Sequence, residues 1–123
     1  MRKLFASIAL LLVATIGLAA CSAPISTPIK VNADTVLIDV RTASEYTEGH
    51  LDGAINIDVQ SPDFESRITE LPANGEYIVY CLSGNRSAAA TARMVELGLS
   101  NVTDAGGISD ASASTGLAVV TSP

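Results

Sequence analysis

The chain has 123 residues, with 7 Lys+Arg against 13 Asp+Glu, 48% hydrophobic residues and only 2 Cys. That is enough for one small domain and too few cysteines for a disulfide scaffold. A net charge of −6 excludes nucleic-acid partners and polybasic binding to lipid headgroups, both of which need clustered Lys and Arg.

Residues 1–20 read as a secretory signal peptide: Arg2 and Lys3 precede an apolar run from Leu4 to Ala20 broken only by Ser7, Thr15 and Gly17. The run is 17 residues long, the short end of what can span a bilayer, so its C-terminal flank decides its use. Leu18-Ala19-Ala20-Cys21 resembles a bacterial lipobox, in which the Cys thiol takes a diacylglyceryl chain and the peptide is cut just before it. The alternative is an ordinary signal cut after Ala20, with Cys21 a spectator. On the first reading Cys21 is the lipidation site, and residues 21–33, including the Ser-, Thr- and Pro-containing stretch from Ser22 to Pro28, form a tether. The expected location is the cell envelope, with a lipoprotein held at the membrane by its N-terminal lipid and facing the periplasm or the outer side. Removing residues 1–20 leaves 103 residues with five Lys+Arg against thirteen Asp+Glu, a net charge of −8. Lipidation also leaves Cys81 as a lone thiol in a compartment where disulfides persist, which points to a thiol kept for its chemistry.

Val36-Leu37-Ile38-Asp39-Val40 suits a strand buried on both faces. Thr42-Ala43-Ser44-Glu45 follows as a capping box for a short helix closed by Gly49, and Ala54–Ile57 is a second strand. Ser61 as N-cap, Pro62 at the first helical position and Phe64, Ile68 and Leu71 on one face predict an amphipathic helix that stops at Pro72. Tyr77–Tyr80 is the third strand and runs straight into Cys81. Ser87 is the expected cap of the next helix, with Thr91, Met94, Val95 and Leu97 as its apolar face and Gly98 as its stop. Asn101–Thr103 is a fourth strand. The domain is thus expected over residues 34–108, and residues 109–123, rich in Ser, Ala, Thr and Gly, as a low-complexity tail without assigned structure.

Strands alternating with helices imply βαβ crossovers, an α/β class and a mainly parallel central sheet flanked by helices. In such sheets ligands bind at the carboxyl ends of the strands, where Cys81 falls. A thiol there, followed by a tight loop and a helix, meets inward-pointing N–H groups and the positive end of the helix dipole, both of which favour thiolate. Gly84 permits the bend, and Arg86 offers a fork of donors for an oxyanion. Taken alone, the loop reads equally well as a buried strand-end cysteine beside a solvated arginine.

Leu37-Ile38-Asp39-Val40-Arg41, Glu45-Tyr46, Gly49 to Ile57, Val79 to Ser87 and Gly106-Gly107 occur in the order of the single-domain rhodanese family, which this chain resembles over most of residues 34–108. The resemblance implies a rhodanese-like single domain and thiosulfate sulfurtransferase activity. Sulfur would be carried as a persulfide on Cys81, with no other cofactor. Arg86 would help bind a small anionic donor such as thiosulfate, and the amides of Leu82, Ser83, Gly84, Asn85, Arg86 and Ser87 would cradle the outer sulfur. A thiol or cyanide would take the sulfur away in a double displacement. The family's first strand and helix have little room here and no aromatic follows Gly106-Gly107, a trimming similar to that of the small periplasmic rhodaneses of the phage-shock type. Alternatives are a persulfide carrier or binding module of the envelope and, further behind, a Cys-dependent phosphatase or arsenate reductase. The signature of those phosphatases puts five residues between Cys and Arg, whereas four separate Cys81 from Arg86. Asp39 and Arg41 are expected to organise loops, and His50 to serve structure rather than act as a base. One His with one available Cys cannot supply a metal's three or four N/S ligands.

Overall fold

The β-branched and aromatic runs Thr35–Asp39 and Glu76–Cys81 form the centre of one sheet, and the computed structural model describes residues 27–121. The signal peptide and the lipidation site Cys21 lie outside the described residues. In chain order the elements are β1 (Thr35–Asp39), α1 (Ala43–Glu48), β2 (His50–Leu51), β3 (Ile55–Asn56), α2 (Phe64–Thr69), β4 (Glu76–Cys81), α3 (Asn85–Glu96), β5 (Val102–Gly107), α4 (Ile108–Thr115) and β6 (Val119–Val120). The sheet order is β3-β1-β4-β5 with every pairing parallel, as the α/β reading requires. Among the described residues no helix is long and apolar enough to cross a membrane.

Successive side chains of a strand point to opposite faces, and β4 feeds two cores in alternation. Tyr77, Val79 and Cys81 join Ile38, Phe64, Ile68, Ala90 and Met94 beneath α2 and α3. Ile78 and Tyr80 join Leu37, Leu51, Ala54, Ala105 and Ala111 on the face covered by α4 and β2. The same alternation that buries Tyr77 therefore aims Cys81 at the α3 side of the sheet.

Thr42 caps α1 as the sequence predicts: its hydroxyl accepts from the Glu45 N–H while the Glu45 carboxylate accepts from the Thr42 N–H. Other boundaries move. The helix expected from Ser61 begins at Phe64, because Ser61 instead bonds the Asp63 carboxylate in a preceding turn; it ends at Thr69, before Leu71 comes under the restriction that Pro72 places on its predecessor. Ser87 is not the cap of α3. Gly84 takes that place with φ of 105°, and Ser87 lies buried in the first turn. The buried face of α3 is Ser87, Ala90 and Met94: the small Ser87 and Ala90 let the first half of the helix sit close to the sheet and Met94 fills the core, while Val95 is turned 54% to solvent. Between these, the buried Thr91 hydroxyl has no hydrogen-bond partner among the described residues.

The largest departure is at the C-terminus. The stretch expected as a tail forms α4, with Ala111 fully buried on the sheet, and then β6, which pairs antiparallel with β2 through His50↔Val120 and Leu51↔Val119. Part of the expected tether is also integrated, since Ile29 donates to the Ser114 carbonyl at 2.8 Å and packs with Val31 on the second core.

Candidate active site

Cys81 is the last residue of β4 and is 1% exposed. Three residues later the backbone turns back at Gly84, whose N–H donates to Cys81 Sγ at 3.0 Å. That turn needs the left-handed conformation of Gly84, which other residues adopt only under strain. Helix α3 starts at once, so its positive end faces the sulfur. Burial pushes the Cys81 thiol up, but the Ser87 hydroxyl and the backbone N–H groups of Ser87, Gly84 and Ser83 outweigh it and hold the thiol below its ordinary value. The Ser87 hydroxyl also has the carbonyls of Gly84 and Gly106 within reach, at 3.1 and 3.4 Å.

The loop is braced from β5. Between Val79 and Cys81 the register of β4 and β5 shifts: Val79 faces Asp104 but Cys81 faces Gly107, leaving β5 with an extra residue. This carries Gly107 against the loop so closely that a Cβ there would meet the Leu82 carbonyl oxygen at 2.6 Å. Leu82 itself is 56% exposed beside the sulfur.

Arg86 lies at the mouth, where Nη1 and Nη2 donate to Glu45 Oε1 and Oε2 at 2.7 and 2.9 Å. The guanidinium pulls the Glu45 carboxyl down to about 2. Glu45 is the site residue that sequence reasoning did not place there; its capping box was visible, but its pairing with a residue 41 positions away was not. Of the residues singled out after Cys81, Leu82, Ser83 and Gly84 form the loop and Asn85, Arg86 and Ser87 the first turn of α3, with the Gly84 N–H on the sulfur.

Asp39 and Arg41 form a separate, buried unit. Arg41 donates to both Asp39 oxygens, at 2.9 and 2.6 Å, and to the Gly49 carbonyl at 2.6 Å, while Asn56 Nδ2 reaches the carbonyls of Asp39 and Arg41. His50 stacks on Tyr46 at 3.8 Å between ring centroids, with Nδ1 2.8 Å from the Tyr46 carbonyl oxygen. Both arrangements organise the chain around β2. A cleft of about 500 Å³ lies elsewhere, lined by Thr27, Pro28, Ile29, Thr103, Asp104, Ala105, Asp110 and Ser114. Its described lining holds neither a cysteine nor a cationic side chain, and it does not include Cys81 or Arg86.

A strand-end cysteine in a loop of amides, on a four-stranded parallel sheet, coincides with a match of residues 28–113 to the rhodanese-like domain. The chain belongs to the rhodanese-like domain family. Its relatives include the thiosulfate sulfurtransferase PspE of Escherichia coli, 37% identical over 75 residues that cover 59% of this chain and 70% of that protein. Thiosulfate sulfurtransferase 16, chloroplastic, of Arabidopsis thaliana is 33% identical over 109 residues, covering 76% and 91%. Among solved structures, a rhodanese with anions from Escherichia coli is 29% identical with a TM-score of 0.59, covering 72% of this chain and 99% of that one. A rhodanese-related protein from Thermoplasma volcanium is 28% identical with a TM-score of 0.62, covering 78% and 99%. Within this rhodanese-like domain, α4 is mostly part of the matched family region rather than an appendage to it.

Proposed function

We propose that this rhodanese-like domain moves a sulfane sulfur from thiosulfate to a thiol or cyanide through a persulfide on Cys81. The Cys81 thiolate attacks the outer sulfur of thiosulfate, and the sulfur–sulfur bond of the donor breaks with its electron pair leaving on sulfite. The outer sulfur stays on Cys81 as a persulfide anion, held by the N–H groups of Leu82 to Ser87. Cyanide then attacks that sulfur, leaves as thiocyanate and returns the thiolate; a thiol acceptor leaves as a persulfide. Donor, acceptor and Cys81 supply every electron, so no further cofactor enters the proposal. Glu45 takes two of the five N–H donors of Arg86, which leaves three for a donor's oxygens.

The observation that carries the reading is the Gly84 N–H on Cys81 Sγ at 3.0 Å within a loop that favours thiolate. Relatives named thiosulfate sulfurtransferases and a solved rhodanese with anions support the choice of donor. The intact mass of the processed protein tests it: thiosulfate adds one sulfur atom, cyanide removes it, and Cys81→Ser shows neither change. Sulfur retained by Cys81→Ser, or none taken up by the wild type, overturns the proposal.

The lipobox-like Leu18–Cys21 supports anchoring of this activity at the cell envelope by a lipid on Cys21. The protein then fractionates with membranes, and Cys21→Ser is released or left unprocessed.

A further inference from the structure

The Glu45 carboxylate serves two elements at once. Oε1 accepts from Arg86 Nη1 at 2.7 Å, from the Thr42 N–H at 3.3 Å and from Thr42 Oγ1 at 3.1 Å, while Oε2 accepts from Arg86 Nη2 at 2.9 Å. Only 24% of the Arg86 side chain and 26% of that of Glu45 are exposed. A carboxylate held by four donors, half-buried between α1 and the loop, differs from the mobile partner of an ordinary surface ion pair. Its charge is fixed at the entrance to Cys81.

The entrance is poor in positive charge. The Arg86 guanidinium is held above its ordinary value first by its hydrogen bonds to Glu45, the carboxylate seated on it at 2.7 and 2.9 Å. Of the other described cations, Arg41 is bound to Asp39 and Arg93 to Glu65 and Glu96, while Lys30 lies on the N-terminal segment and Arg67 on α2. An incoming donor therefore meets a guanidinium whose charge Glu45 already answers.

We infer that Glu45 is a specificity-determining positioning residue, which through its grip on Arg86 disfavours dianionic sulfur donors relative to monoanionic donors of the same size. The inference rests on the sulfur-transfer reading above. Two donors isolate the charge: thiosulfate, a dianion, and the methanethiosulfonate anion, in which a methyl group replaces one charged oxygen. Both react alike. The Cys81 thiolate bonds to the outer sulfur, the donor's sulfur–sulfur bond breaks, and sulfite or methanesulfinate departs with the electron pair.

The test uses the full chain, purified in detergent, and reads sulfur loading of Cys81 by intact mass over a range of donor concentrations. Glu45→Gln removes the charge but keeps the hydrogen-bonding shape of the capping box, and Glu45→Asp keeps the charge. In Glu45→Gln the ratio of kcat/KM for thiosulfate to that for methanethiosulfonate rises about fivefold, the size of one fixed charge acting through several ångströms of protein surface. The rise comes through the KM for thiosulfate, and Glu45→Asp stays near the wild-type ratio. Taking the ratio within one preparation cancels any loss of folded protein. An unchanged or lower ratio in Glu45→Gln, including an equal loss on both donors, overturns the role of Glu45 while leaving sulfur transfer intact. A wild-type protein that takes sulfur from neither donor overturns the sulfur-transfer reading and this one with it.

Discussion

Two arginine–carboxylate pairs border this domain's working end, and they are built for opposite ends. Asp39–Arg41 is local, two residues apart, buried, and completed by the Gly49 carbonyl and by Asn56. Glu45–Arg86 joins residues 41 positions apart and keeps about a quarter of each side chain in solvent. The first encloses its charges so that β1, β2 and β3 keep their places. The second leaves part of its guanidinium fork open at the mouth of the Cys81 loop. The contrast teaches that the surroundings of an ion pair, rather than the pair itself, separate architecture from chemistry.

Breaking the buried pair has the largest expected effect. Arg41→Ala leaves Asp39 charged and enclosed, and should cost about 3–5 kcal/mol of stability in urea unfolding. A double variant, Asp39→Asn with Arg41→Met, should cost less than the single one, because no uncompensated charge remains. Breaking the open pair should move activity instead. Arg86→Ala should lower kcat/KM for thiosulfate roughly tenfold to a hundredfold, the worth of one or two charge-assisted bonds, with a smaller loss of stability than Arg41→Ala, because Glu45 keeps its Thr42 donors and part of its solvent.

Ser87→Ala sharpens the contrast within the site itself. It removes a hydroxyl that favours the Cys81 thiolate, so the pH midpoint of alkylation by iodoacetamide should move upward, toward the ordinary thiol range. The smallest effect is a pH dependence of stability. The Glu45 carboxyl titrates at about 2 in the folded protein against 4.5 ordinarily, held down first by Arg86. A depressed acid contributes stability that is present above its unfolded value and lost as pH falls toward the folded one. Wild type should therefore lose more stability than Glu45→Gln between about pH 5 and about pH 2 in urea titrations, with the two curves parallel above that window.

Much of this was legible in order along the chain. The hydrophobic run of β4 ending in Cys81, the Thr42–Glu45 capping box, the Gly-containing turn and the parallel α/β class each rest on local pattern, and each is present. What was not legible depends on partners distant in sequence. Residues 108–115 carry too little apolar periodicity to announce a helix, and α4 exists because Ala111 and Ser114 fit closely against β5 and Ile29. A two-residue strand such as β6 has no signal beyond its pairing with β2. Val95 departs from the expected apolar face of α3 for a related reason: Met94 enters the core, and a step of one residue then turns Val95 to solvent. Glu45 carried a complete local explanation as a helix cap, and that explanation masked its second partner.

The extra residue in β5 bears on whether this site can be moved. Residues 81–87 hold their shape because Gly107 closes on the Leu82 carbonyl and the Gly106 carbonyl lies within reach of the Ser87 hydroxyl, both from a neighbouring strand. Grafted onto another parallel sheet, the heptapeptide would keep its cysteine and its glycine but lose the wall it leans on. The portable unit is the loop together with the end of β5, and a transplant that omits Gly106-Gly107 carries the sequence of the site without its form.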